Sequence, residues 1–138
     1  MGGYNTNLAA EFYVLSMLHR LGQEAYLTLG NKKAVDIVIV DDSGSTVTVD
    51  VKGLAGRTSW RVRNLATRGE NQFIVFVCFL GKIANPDVVP EVYVVPISEV
   101  EGMTYVGTTG QEFVELRVLR KKGTRFKDAW SLIVPSAA

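Results

Sequence analysis

Hydrophobic positions along the chain change period several times, and each change marks an element. Leu8, Val14, Leu15, Leu18 and Leu21 recur at helical spacing, with Tyr13, Ser16 and Arg20 on the opposite arc. Asn5, Thr6 or Asn7 is placed to cap this helix, and Gly22 to stop it, because glycine accepts the positive φ of a helix C-terminus. YLTLG then reads as a short strand. VDIVIV and TVTVDVK alternate at a period of two, and the DDSGS between them has turn composition, so a hairpin is predicted. With Asp41 to Ser45 as its loop, Val40 pairs with Thr46 and Asp36 faces Asp50.

Beyond Leu54 the pattern weakens. TSWRVRN alternates like an edge strand, whereas Val62, Leu65 and Ala66 would share one helical face, and both readings stay open. From Phe73 onward QFIVFVCFL is apolar at every position, the pattern of a strand covered on both faces in the middle of a sheet. GKIANPDVVP reads as a loop and EVYVVP as a strand ended by Pro96. ISEVEGM suits a helical turn, 104–120 a hairpin or edge strand, and FKDAWSLI a C-terminal helix. At 138 residues, without repeats or linkers, the expectation is one α/β domain spanning 1–138, a mixed sheet flanked by helices.

Composition narrows the class without naming a function. With 47% hydrophobic and 21% charged residues the chain resembles an ordinary soluble domain. It has neither an 18-residue apolar run nor the basic and apolar flank of a secretory signal, which leads to the expectation of a cytoplasmic protein. The lone Cys78, inside FIVFVCFL, has no partner for an internal disulfide and reads as a small buried hydrophobe. The net charge of +1 hides segregation: 1–51 and 83–116 are acidic, 52–82 and 117–138 basic. Arg57, Arg61, Arg63 and Arg68, then Arg117, Arg120, Lys121, Lys122, Arg125 and Lys127, form either solvated faces or the footprint of a polyanion.

Three carboxylates and a lysine stand out against this pattern. Glu11 falls within the apolar arc of the first helix, where a carboxylate is costly unless it meets a cation, a metal or donors. His19 lies near the same arc and, with no second histidine in the chain, reads as a packed or hydrogen-bonded residue. Cross-strand neighbours lie about 5 Å apart, so Asp36 and Asp50 repel and raise each other's pKa unless a cation intervenes. Lys52 follows Asp50 by two residues, about 7 Å along the strand, which leaves space for a hydrated ion. Mg²⁺ takes oxygen ligands, retains waters, and uses one or two carboxylates with a substrate phosphate. Bound there, with Mn²⁺ as a substitute, it would acidify a water and polarise a phosphoryl oxygen, the chemistry of phosphodiester hydrolysis. Lys52 would orient that water or offset charge at phosphorus, and Glu11 would hold a second ion directly or through water. A buried salt bridge from Lys52 to one carboxylate is the competing structural explanation.

Helix with Glu11, strand opening VD at Asp36 and strand ending DVK at Asp50 and Lys52: in this order the residues resemble the PD-(D/E)xK nuclease superfamily, whose restriction-endonuclease-like fold includes archaeal Holliday-junction resolvases. The resemblance covers 7–53 well and 72–80 loosely. It implies an αβββαβ core and an Mg²⁺-dependent endonuclease acting on DNA, less often on RNA. Asp36 and Asp50 would be metal ligands, Glu11 an auxiliary acidic residue and Lys52 the catalytic lysine. Val35 stands where the motif's name has proline, and LAGRTSWRVRNLATRGEN holds no clear counterpart of the helix expected before the next strand.

That segment instead suggests Arg57, Trp60, Arg61 and Arg63 beside the site, the arginines on phosphates and an exposed indole on a base. Core packing for Trp60 and a solvated rim for the arginines is the equal alternative. Asn31, Lys32 and Lys33, just before Asp36, would touch a backbone phosphate. Resolvase-like cutting of paired strands would imply a homodimer. Two rival functions remain: a catalytically silent nuclease-fold module that binds nucleic acid or a protein, and a structural protein dimerising through QFIVFVCFL and EVYVVP.

Overall fold

The computed structural model describes residues 3–28, 36–63 and 71–134. Helix α1 (Gly3–Arg20) begins before the expected cap, so Asn5, Thr6 and Asn7 lie inside it. It ends as its glycine dictates. Gly22 takes φ +78°, the Gln23 N–H donates to the Leu18 carbonyl at 3.0 Å, and the Gly22 N–H donates to the His19 carbonyl at 3.0 Å, a Schellman closure.

Three strands follow, β1 (Glu24–Leu27), β2 (Ile37–Val40) and β3 (Thr46–Leu54). The hairpin register is the one its loop composition demands, with Val40 opposite Thr46 and Ile37 opposite Val49. Asp41 organises the turn by accepting the N–H groups of Ser43 and Ser45, both at 2.9 Å. β1 covers part of YLTLG and begins two residues earlier.

Strand β5 (Gln72–Cys78) runs parallel to β3, and β6 (Glu91–Pro96) returns antiparallel to β5. The five-stranded mixed sheet has the order β1-β2-β3-β5-β6. Pro96 is tolerated because β6 is an edge strand, where its missing N–H breaks no ladder.

Alternation along β5 divides the core in two. Val75 and Val77 join Val49, Val51, Ile37 and Ile39 under Ala10, Val14 and Leu18 of α1. Ile74, Phe76 and Cys78 face the other way, into a cluster with Trp60, Val62, Val114, Leu116 and Leu119. The five residues from Ile74 to Cys78 are fully buried, and burial of each large apolar side chain contributes about 1.5–3 kcal/mol.

The second cluster is roofed by a small sheet. β4 (Ser59–Val62), β7 (Thr104–Val106) and β8 (Glu112–Glu115) pair antiparallel in the order β4-β8-β7. Of the two readings of TSWRVRN, strand is observed, but in this separate sheet; Leu65, Ala66 and Arg68 lie outside the described residues. The described part of the β3-to-β5 connection is thus a strand.

A short helix α2 (Ile97–Val100) continues into a 3-10 turn at Glu101–Met103, as ISEVEGM suggested. The hairpin expected within 104–120 is β7–β8, and its end is instead helix α3 (Leu116–Lys122), which buries Leu116 and Leu119 at helical spacing.

The C-terminal helix expected at FKDAWSLI is not formed. Two 3-10 turns, Thr124–Phe126 and Trp130–Leu132, flank Asp128 at φ +51°. Tertiary bonding overrides local helix preference here: Asp128 N–H donates to the Val92 carbonyl at 2.9 Å, and Lys127 bridges to Tyr93. Among the described residues no helix is long and apolar enough to cross a membrane.

Candidate active site

Asp36 stands at the mouth of β2, one residue before the ladder begins. Its N–H donates to the Val49 carbonyl at 2.8 Å, and its carbonyl accepts the Thr28 N–H at 2.9 Å. Val49 is already the register partner of Ile37, so Asp36 and Ile37 both oppose it and the regular ladder ends here as in a bulge. The side chain then turns back: Oδ2 accepts the Val51 N–H at 2.7 Å, in place of a strand neighbour.

Asp50 lies in the middle of β3 with 4% of its surface exposed, paired in register with Ile74 on the parallel side. Lys52 comes one pleat later, beside Phe76, and its Nζ is 3.4 Å from Asp50 Oδ2. Because Ile74 and Phe76 pack beneath the small sheet, Asp50 and Lys52 project from that same face of the main sheet.

Gly53 explains how α1 comes close to this strand end. A β-carbon there would lie 2.9 Å from the Thr6 carbonyl oxygen and 3.0 Å from the Ala10 Cβ, so a side chain would push the helix away. Glu11 follows Ala10 on this helix and is half-buried, close enough for the charge of Asp50 to raise its pKa, second to the effect of burial.

The electrostatics describe a crowded acidic centre. Burial pushes the Asp36 carboxyl up to about 7 against the opposing Val51 N–H bond, aided by a side-chain hydrogen bond with Asp50 and by the charges of Asp50 and Glu11. The carboxylates of Glu11, Asp36 and Asp50 thus act on one another, and one ammonium, Lys52, stands in contact with Asp50.

The donor set fits a hard divalent cation. Asp36 and Asp50 offer carboxylate oxygens within hydrogen-bonding reach of each other, in a field that binding a cation would relieve. Among the described residues no three His, Cys, Asp or Glu side chains converge tightly enough to hold a metal by themselves. Two carboxylates completed by water and a substrate phosphate match the ordinary demand of Mg²⁺.

The other residues singled out in the sequence separate from this group. Trp60 is not an exposed stacking ring: it is 2% exposed, meets Phe76 edge-on at 5.1 Å between centroids, and donates its Nε1–H to the Val77 carbonyl at 3.3 Å. Arg57, Arg61 and Arg63 are exposed, with Arg57 Nε donating to the Leu80 carbonyl. Asn31, Lys32, Lys33 and Val35 lie outside the described residues.

His19 is hydrogen-bonded, its Nε2 3.0 Å from the Ala25 carbonyl oxygen. Cys78 is buried with its thiol donating to the Gly56 carbonyl, and burial raises its pKa. In the second basic block Arg120 grips Glu91 through two bonds of 2.8 and 2.9 Å, and Arg125 pairs with Glu99 at 2.7 Å. A cavity of about 610 Å³ opens at the far tip of the hairpin, lined by His19, Glu24, Tyr26, Asp41 and Ser43, away from Asp36 and Asp50.

No protein-family model matches the chain, and no curated protein matches it. Among solved structures the chain is similar to I-Ssp6803I, described as a bacterial homing endonuclease, with a TM-score of 0.58. The likeness covers 96% of this chain and 92% of that one at 16% identity, and it is a likeness of fold.

Proposed function

We propose that this protein is a metal-dependent endonuclease of the PD-(D/E)xK type that hydrolyses nucleic-acid phosphodiester bonds, with DNA favoured over RNA. The observation that carries the reading is the approach of the Asp36 and Asp50 carboxyls at the end of the hairpin, with Lys52 one pleat away and Glu11 reaching the same field. The fold shared with a protein described as a homing endonuclease supports it.

Asp36 and Asp50 would hold Mg²⁺ or Mn²⁺, with Glu11 as an auxiliary ligand directly or through water. Once bound, the ion would supply Lewis acidity toward a phosphoryl oxygen and lower the pKa of a water. The chain's own residues do the rest. Val51 N–H fixes one Asp36 oxygen, so the carboxyl is held in place before substrate arrives. Lys52, anchored on Asp50, directs its ammonium toward the attacking water or the charge that grows on phosphorus. Arg57, Arg61 and Arg63 would supply phosphate contacts from the layer of the small sheet. Asn31, Lys32 and Lys33, which precede Asp36 in the chain, are proposed to touch a backbone phosphate.

A panel of labelled branched, duplex and single-stranded DNA, with RNA, incubated with Mg²⁺, Mn²⁺ or EDTA tests this. The expected result is metal-dependent incision that Asp50→Ala abolishes. Metal-independent binding without incision would support the silent binding module instead.

A further inference from the structure

The small sheet has two faces, and only one is used by the core. Trp60, Val62 and Val114 point inward, with exposures of 2%, 1% and 0%. The residues between them point outward, and strand register sets three in one cross-strand row: Arg61 of β4 opposite Phe113 of β8, and Phe113 opposite Tyr105 of β7. The Tyr105 and Phe113 rings are stacked, with centroids 5.5 Å apart and planes 26° from parallel. Tyr105 is 44% exposed, and Arg61 is exposed at the β4 end of the row. Gly107 borders the Phe113 ring so closely that a β-carbon would lie 3.3 Å from its edge, so a side chain there would crowd the ring.

We propose that this outer face of β4-β8-β7 is a stacking platform for unpaired nucleotides, with Tyr105 and Phe113 receiving base planes and Arg61 taking the adjoining phosphate. The inference rests on the reading that the chain handles nucleic acid, and it identifies the substrate feature the protein engages: bases not held in a duplex.

Three observations carry it. An aromatic surface in contact with solvent offers every base a π-face, which a paired base inside a duplex cannot reach. Its neighbour is a guanidinium, and Arg57 and Arg63 flank Arg61 along the chain. That charge complements a phosphate backbone. Finally, β4 follows β3 after a four-residue turn and packs on the face from which Asp50 and Lys52 project, so the platform belongs to the layer that borders the candidate active site. The indole of Trp60 suggested this role in the sequence, but it is the residues on the other face of the same strand, with partners some fifty positions away, that form the surface.

The test is fluorescence anisotropy of the full chain with a labelled thymidine oligonucleotide, the matching uridine oligonucleotide and a blunt duplex of equal length, in EDTA so that no strand is cut. Tight binding of the single strands over the duplex is expected, with Tyr105→Ala and Arg61→Gln each weakening it about ten-fold or more. Tyr105→Trp should retain affinity, whereas Tyr105→Leu, which keeps apolar bulk without the ring, should lose it while leaving the melting temperature near wild type. The two oligonucleotides show whether the 2′-hydroxyl matters; either preference is compatible with stacking only if the variants lose binding to both. Equal affinity of wild type and Tyr105→Leu for single strands, or no strand binding by wild type, would overturn the platform. Self-association lost in Tyr105→Leu without strand binding would also overturn it and assign the face to a second copy. Strand binding that depends on Tyr105, with no incision when Mg²⁺ is added, would leave the platform standing and remove the nuclease reading.

Discussion

Replacing Asp36 by asparagine should make the metal-free protein more stable at pH 8, and by a smaller margin at pH 5. The native carboxyl titrates near 7 because burial, Asp50 and Glu11 disfavour its charge, whereas the same group in the unfolded chain titrates near 3.8. The folded state therefore holds a proton that the unfolded state has released between about pH 4 and 7. Stability from this group is complete below the lower value and is lost as the pH rises through the upper one. A displacement of that size corresponds to about 4 kcal/mol if fully expressed. Asp36 is only partly buried and shares its proton with Asp50, so solvent screening reduces the expected loss to about 1–2 kcal/mol. Asparagine keeps an oxygen for the Val51 N–H and cannot ionise. Urea denaturation in EDTA at pH 5 and pH 8 should show the wild type losing the larger part of that increment and Asp36→Asn losing none of it. Millimolar Mg²⁺ at pH 8 should restore the wild type and leave the variant unmoved, since a ligand stabilises only the state that binds it. Parallel pH profiles for the two proteins would refute the electrostatic description of this site.

Glu11→Gln should reduce incision by less than Asp50→Ala, because Glu11 touches the acidic field from its edge; equal losses in a gel-based cleavage assay would place it at the centre. Gly53→Ala should destabilise the fold by about 1–3 kcal/mol, since its β-carbon meets the Thr6 carbonyl and Ala10; an unchanged melting temperature would contradict that contact. Arg120→Ala should narrow acid tolerance: Arg120 holds the Glu91 carboxyl down to about 2, so the stability of that pair persists at neutral pH and is lost as pH falls from about 4.5 toward 2. Acid titration followed by circular dichroism should show the variant unfolding at higher pH than the wild type.

The hairpin was legible because its determinants are local, and so was the approach of its two aspartates, though Asp36 opposes Val49 rather than Asp50 in the ladder. The DDSGS turn fixes the register, and a register shifted by one would have put Val47 and Val49 in solvent. The uniformly apolar run at β5 likewise foretold a strand covered on two faces. Trp60 was harder: SWRV shows that Trp60 and Arg61 point in opposite directions, but which side meets the core depends on Phe76 and Val77 of another strand. The row of Arg61, Phe113 and Tyr105 left no trace in the sequence at all, because pairing between strands distant along the chain creates it. FKDAWSLI carried helix-compatible spacing, yet Asp128 gives its N–H to Val92 and adopts positive φ, which helical periodicity does not report.

The most direct measurement on the central claim is strand incision by Lys52→Met, followed beside Mn²⁺ binding to the same preparation. A centre in which Asp36 and Asp50 bind the ion and Lys52 serves the reacting phosphate predicts that the variant still binds Mn²⁺ and nucleic acid but no longer cuts, whereas the wild type does both. Incision by Lys52→Met at the wild-type rate would contradict it and reduce the Asp50–Lys52 contact to a structural salt bridge.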